Sequence, residues 1–213
     1  MIEVPLCGHA TLASGWVVLN ELAPRLEQVR FSTKSGELIV ARSAEGRLAM
    51  NFPAGRVEPF SAPAGFAPAL GASLGVPPAI ELHFAPTGAG GMPAPLGVWR
   101  ESDLRAMKLS GELEKVLARA GYHALLATAQ SDGKPYDFLS RFFAPGKIGV
   151  PEDPVTGSMN CTLTPFWAKR LEKRTLRAYQ ASARGGDLLC VDEGERVTLL
   201  GNCALYLKGE IEV

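Results

Sequence analysis

Directly after a glycine near the start of the chain, apolar residues recur at helical spacing. Ala10, Ala13 and Val17 form one stripe, Leu12, Trp16 and Leu19 a second, and Val18 with Leu22 a third. A helix apolar almost all round is one enclosed on every side. It should stop before Ala23-Pro24, because a residue preceding proline is pushed out of the α region. A second such helix is expected from Ser158 through Leu163, Phe166, Trp167 and Leu171. Pro165 inside it predicts a kink or a later start. Short strand-like segments follow each helix: Val29–Thr33, Glu37–Ala41 and Arg47–Phe52 after the first, and Leu176–Gln180, Asp187–Val191, Arg196–Leu200 and Ala204–Leu207 after the second. Glu45-Gly46 and Glu193-Gly194 read as hairpin turns. Between the two blocks lie a strand at Gly97–Trp99, an amphipathic helix at Leu113–Arg119, and strands at His123–Thr128 and Asp137–Phe143. The Pro/Gly/Ala tract from Ala85 to Pro95 reads as a linker.

The two blocks are nearly the same text. Glu3-Val4-Pro5-Leu6-Cys7-Gly8-His9 and Glu152-Asp153-Pro154-Val155-Thr156-Gly157-Ser158 share Glu, Pro, an aliphatic residue and Gly, with a Gly-to-Gly offset of 157 − 8 = 149. Gly36-Glu37-Leu38-Ile39-Val40 answers Gly186-Asp187-Leu188-Leu189-Cys190 at 186 − 36 = 150. A long period with two ordered matches indicates paired units and not a solenoid. The expected fold is α+β, with two pseudo-symmetric lobes, each a β-barrel-like sheet wrapped around a central helix. The lobes are placed at residues 1–90 and 91–213. If the second lobe opens near Pro86, 153 − 86 = 67 residues precede Asp153, against two ahead of Glu3. Either the first lobe lacks its opening strands and helix, an N-terminal truncation, or the fold never had them.

Composition narrows the function. Lys+Arg and Asp+Glu balance at 22 each, so no net field draws nucleic acid or an acidic membrane. The first residues carry no basic stretch leading into an apolar run, which argues against a secretion signal. No apolar run reaches the roughly 18 residues of a membrane span. Cys7, Cys161, Cys190 and Cys203 lie far apart without a CxxC pair or histidine at metal spacing, against a zinc site or a disulfide scaffold. A cytoplasmic protein with no membrane or nucleic-acid partner is expected.

The repeated turns carry the candidate chemistry. Each places a glycine where a strand-like stretch becomes a helix, so backbone N–H groups without intrahelical partners point outward at the positive end of the dipole. Such termini bind carboxylate or phosphate. Two of them facing each other would clamp a small carboxylated substrate between the lobes, with Gly8 and Gly157 admitting close backbone approach. Each glycine also fits a tight turn needed for steric reasons alone. Asp153 lies just ahead of the second turn, as a proton-exchanging carboxylate or as a turn residue before Pro154. His9 suits a hydrogen bond to a substrate oxygen or a proton relay, and Ser158 a helix cap or a ligand contact. Glu152 reads as solvated, Cys7 as a small packed residue, and Arg184 as a carboxylate partner or a surface turn before Gly185-Gly186.

At these residues the chain resembles the phenazine biosynthesis PhzF-like protein family. The carrying segments are Glu3–Thr11 and Glu152–Ser158, supported by Ser35-Gly36-Glu37-Leu38, Ser140–Pro145 and Gln180–Gly186. The resemblance implies a diaminopimelate-epimerase-like fold and isomerase chemistry without cofactor or metal. It also implies a homodimer as the common assembly. It makes Asp153 and His9 catalytic and gives Gly8, Gly157 and Ser158 to substrate binding. The family's principal proton-shuttling glutamate sits in a Ser-Glu-Thr-like segment upstream of the Cys-Gly-His turn, and Glu3 is not its equivalent. Two-thiol racemisation would need a cysteine at each turn, and Thr156 stands opposite Cys7. Two functions are expected: a cofactor-independent isomerase moving a proton on a small carboxylated metabolite, or a catalytically impaired paralogue that binds a metabolite or a protein.

Overall fold

In the computed structural model, which describes residues 7–33, 36–43, 46–89, 91–133, 135–146 and 151–210, the chain folds as α1 (Gly8–Val17), β1 (Gln28–Thr33), β2 (Gly36–Arg42) and β3 (Leu48–Pro53). Then come β4 (Glu58–Pro59), α2 (Phe66–Leu74), β5 (Glu81–Ala89), β6 (Met92–Val98), α3 (Glu101–Ala106), α4 (Gly111–Arg119), β7 (Leu125–Gln130), β8 (Phe138–Phe143) and β9 (Glu152–Asp153). The last block is α5 (Gly157–Leu171), β10 (Thr175–Gln180), β11 (Gly186–Asp192) and β12 (Arg196–Gly201). Residues 3–6 of the first motif, Ser35 and Glu45 lie outside the described residues.

The internal repeat is physical. Each copy is a helix followed by three antiparallel strands, α1-β1-β2-β3 and α5-β10-β11-β12. The copies join where β3 pairs antiparallel with β12, from Pro53↔Arg196 to Leu48↔Gly201. One sheet therefore runs β1-β2-β3-β12-β11-β10-β8-β7-β6-β5-β4, with β9 on β8. A single core cluster spans both copies, taking Leu38, Val40, Met50 and Phe52 from the first and Met159, Leu163, Trp167 and Leu199 from the second. β7 and β8 are buried on both faces. Leu126, Phe138 and Phe142 point to the α5 side, and Leu125, Leu139 and Phe143 to a second core under α2, α3 and α4. Strands covered twice read as continuous apolar runs, as these do.

Helix α1 passes into one π-helical turn, Val18–Leu22, closed by Ala23 N–H donating to Val18 O (2.7 Å), and stops ahead of Pro24 as expected. Arg42 donates to Leu19 O (2.5 Å) in that turn and to Leu26 O (3.3 Å) in the connection beyond it. Helix α5 starts at Gly157 with Pro165 inside it. Proline has no N–H to give the carbonyl four residues back, and that carbonyl, Cys161 O, instead accepts from Gly55 N–H at 2.9 Å. A Cβ on Gly55 would overlap Thr162, so the exchange requires glycine there.

Three readings differ from the structure. The Ala85–Pro95 tract is no linker: it contributes to the β5–β6 hairpin, with Ala85, Ala94 and Leu96 fully buried. Pro86 and Pro93 fall at the register shift between the pairs Ala85↔Ala94 and Ala89↔Met92, whereas Pro95 sits in the regular ladder opposite Phe84. Ala204–Leu207 is not a strand, and Leu205, Tyr206 and Leu207 are exposed. The two helices also differ in cover. Helix α5 buries Met159 through Thr164 and Trp167, whereas α1 and its π turn bury Gly8, Gly15 and Leu19 and leave Val17 40% and Leu22 73% exposed.

Candidate active site

The two glycine turns meet. A Cβ added at Gly8 would sit 3.5 Å from Gly157 Cα, and one at Gly157 would sit 3.6 Å from Gly8 Cα. The N-termini of α1 and α5 thus approach through backbone alone. Neither N-cap residue, Cys7 or Thr156, supplies a side-chain cap hydrogen bond, so the first-turn amides are not capped from within their helices. Beside them opens a hollow of about 450 Å³ whose wall includes His9, Asp153, Gly157 and Arg184, with Met50 and Leu199 as apolar floor.

Each expected residue has a definite place. His9 is exposed at the rim, its Nε2 3.5 Å from Cys7 Sγ. Asp153 is half-buried on the wall, and its Oδ2 accepts a hydrogen bond from Thr156 Oγ1 at 2.7 Å. It therefore serves the turn with one oxygen while facing the hollow. Gly157 lines the hollow, and Gly8 is buried against it. Ser158 is 9% exposed in the first turn of α5 and is not on the wall. Arg184 combines both of its readings: it is exposed in the turn before Gly185, lines the hollow, and makes no side-chain hydrogen bond or ion pair with the described residues.

The second turn is held by residues whose role spacing did not reveal. Gln180, fully buried on β10, accepts from Thr156 N–H (2.6 Å) and donates to Asp153 O (2.6 Å) and Thr156 Oγ1 (3.2 Å). Ser182 Oγ donates to Pro154 O at 2.8 Å and accepts from Gly185 N–H at 3.1 Å. Glu152 is not solvated. Its carboxylate takes Arg141 Nε (2.7 Å) and Nη2 (2.9 Å) in a fork, while Arg141 Nη1 donates to Leu104 O and Met107 O. Both side chains are largely buried, so removing either partner alone would strand a charge, at a cost of about 3–5 kcal/mol. The only signal in the sequence was the polar run from Gln180 to Arg184. Nothing local says which turn it faces.

The thiols sort by burial. Burial pushes Cys161 and Cys190 up to about 12, so neither is a nucleophile at neutral pH. Cys7 stands at the first turn, and Thr156 occupies the matching place at the second. Among the described residues no group of three or more His, Cys, Asp or Glu is arranged to hold a metal ion, and no helix is long and apolar enough to cross a membrane.

A duplicated α+β fold with two helix N-termini abutting at glycine beside a hollow defines an epimerase-like class of architecture. Comparison with known proteins agrees and goes further. A family model described as phenazine biosynthesis-like protein, PhzC-PhzF, matches residues 1–209. The chain is 41% identical over 212 residues to an uncharacterized isomerase of Pseudomonas aeruginosa, covering 100% of this chain and 75% of that protein. It is 34% identical over 216 residues to the phenazine biosynthesis-like domain-containing protein of Rattus norvegicus, covering 97% and 73%. The crystal structure of a PhzF-family protein of Enterococcus faecalis matches with a TM-score of 0.83 at 32% identity, over 99% of this chain and 75% of that one. The chain belongs to the PhzC-PhzF phenazine biosynthesis-like family and has its epimerase-like α+β fold.

Proposed function

We propose that this chain binds a small carboxylated metabolite in the hollow beside Gly8 and Gly157 and moves a proton on it without a cofactor. The observation that carries the reading is the contact of the two uncapped helix N-termini at that hollow. The substrate carboxylate takes first-turn amides and Arg184, which favour the anion by hydrogen bonding and by the helix dipole. Asp153 exchanges the proton, and His9 at the rim hydrogen-bonds a substrate oxygen or relays the proton to solvent. Ser158 supports the amide cradle from inside α5. Family resemblance makes a homodimer the working assembly.

Proton movement is measurable without knowing the product. Cyclic and unsaturated carboxylic acids incubated with the protein in deuterium oxide should exchange a carbon-bound hydrogen, followed by NMR. Asp153→Asn should slow exchange by about 100-fold or more, the usual contribution of a positioned acid–base group. Acids that bind tightly yet never exchange would defeat the isomerase reading. They would favour the second one, a binding protein without turnover, to which the exposed flank of α1 at Val17 and Leu22 lends support.

A further inference from the structure

We infer that Thr156 is the positioning residue for Asp153: its hydroxyl, oriented by Gln180, pins one carboxylate oxygen and leaves the other to exchange the proton. This rests on the reading of Asp153 as the acid–base group and extends it.

Threonine at a helix N-cap ordinarily accepts a hydrogen bond from an amide two or three residues further on. Thr156 stands at the N-cap of α5 in extended backbone and makes no such bond. Its hydroxyl is used elsewhere. The oxygen accepts from Gln180 Nε2 at 3.2 Å, and the proton goes to Asp153 Oδ2 at 2.7 Å. Gln180 sets the direction of this chain. Its side-chain carbonyl takes Thr156 N–H (2.6 Å), and its amide nitrogen also donates to Asp153 O (2.6 Å). A reversed amide would put carbonyl against carbonyl and N–H against N–H, so Nε2 is the end that faces Thr156 Oγ1. The hydroxyl proton then points away from Gln180, toward the carboxylate. Gln180 is fully buried and Thr156 5% exposed, so water competes little for either. Hydrogen bonds in such a chain polarise one another.

The rest of Asp153 is fixed by its backbone. Strand β9 pairs it with Phe142 of β8, and Pro154 restricts the residue ahead of it to extended conformations. The terminal torsion of an aspartate is broad, so the backbone alone does not orient the carboxylate plane. Among the described residues Thr156 supplies the hydrogen bond to that side chain, at Oδ2, and Oδ1 has none. An oxygen already accepting a hydroxyl proton is the poorer acceptor for a second one. Oδ1, on a residue that lines the hollow, is therefore the atom that takes the substrate proton and returns it.

The test follows deuterium exchange into an exchanging acid, with kcat and KM determined separately for the parent, Asp153→Asn, Thr156→Val and Thr156→Ser. Valine resembles threonine in shape, and Gln180 Nε2 keeps Asp153 O as a partner, so no buried donor is stranded. Thr156→Val should lower kcat about 10–100-fold and leave KM within about threefold, because a misdirected reacting group loses rate and not binding. Thr156→Ser, which retains the hydroxyl, should return kcat to within about threefold of the parent. Melting curves establish that each variant is folded. The parent alone gives a second readout: the Thr156 hydroxyl proton should exchange slowly enough to be seen by NMR, and one lost to rapid exchange with water would overturn the inference. Thr156→Val at the parental kcat while Asp153→Asn is slow, Thr156→Ser as slow as Thr156→Val, or a rise in KM that accounts for the loss would overturn the positioning role and leave the Asp153 reading standing. Parental exchange in Asp153→Asn, or no exchange of any acid by the parent, would overturn both.

Discussion

Gln180 shows how much of this site depends on one side chain far away in sequence. It fills the hydrogen-bonding needs of Thr156 and Asp153 with three short contacts from a fully buried position. Gln180→Leu keeps much of the volume but leaves a buried N–H and a carbonyl without partners. We expect a loss of about 2–4 kcal/mol in denaturant unfolding, together with weaker carboxylate binding, because the turn that aims the α5 amides is released. An unfolding midpoint and a ligand affinity equal to the parent protein would remove Gln180 from this role. The glycines were legible beforehand because they repeat at one offset, and their meeting across the copies follows from the pseudo-symmetric joint. The Gln180 contacts and the Arg141–Glu152 fork were not legible. Each links residues from different strands, and no local pattern encodes a side-chain hydrogen bond across a sheet.

At the scale of elements, periodicity worked where backbone hydrogen bonding is local and failed where packing decides. The three strands that follow each helix fall within one residue of their expected ranges, whereas the fourth expected after the second helix, Ala204–Leu207, does not form. Helix α2 was missed because Pro68 and Gly71 break its pattern. Pro68 is tolerated in the first turn, and a Cβ at Gly71 would lie 2.6 Å from Pro77 O. The Ala85–Pro95 hairpin was read as a linker because small residues and prolines look like loop composition. The burial of Ala85 and Ala94 in the core with α5 is a tertiary fact. Helix α1 approaches β2 closely at Gly15, where a Cβ would fall 2.6 Å from Val40 Cβ and Cγ1. Gly15→Ala should therefore lower stability by about 1–3 kcal/mol through overpacking, although alanine is the better helix former. A melting temperature at or above that of the parent would mean that α1 can lift from β2 without penalty.

The whole molecule is tied together by the β3–β12 joint and by a core shared between the copies, so the repeats should unfold together. Its acid sensitivity has a named contributor. The Arg170 guanidinium on α5, with His83 beside it, holds the Glu81 carboxyl of β5 down at about 2 against an ordinary 4.5. A carboxyl lowered in the folded state adds stability that is complete above the unfolded value and is lost as pH falls through the folded one. Stability should therefore decline as pH drops from 4.5 toward about 2, and Glu81→Gln should flatten that limb. The effect is expected to be about 1 kcal/mol or less, because solvent screens a carboxylate that is 39% exposed. An acid limb of unchanged slope in the variant would assign it to other groups.

The sequence by itself determined the repeat, the α+β class, the two glycine turns and the family resemblance, because each is written in local periodicity or in a short motif. Tertiary structure alone decided that the turns touch, that one repeat helix is enclosed and its twin is not, and that β11 and β12 part beside the hollow. Those outcomes depend on how strand registers add up across a sheet of many ladders. A register is a property of two segments and their surroundings, and no single stretch of chain contains it.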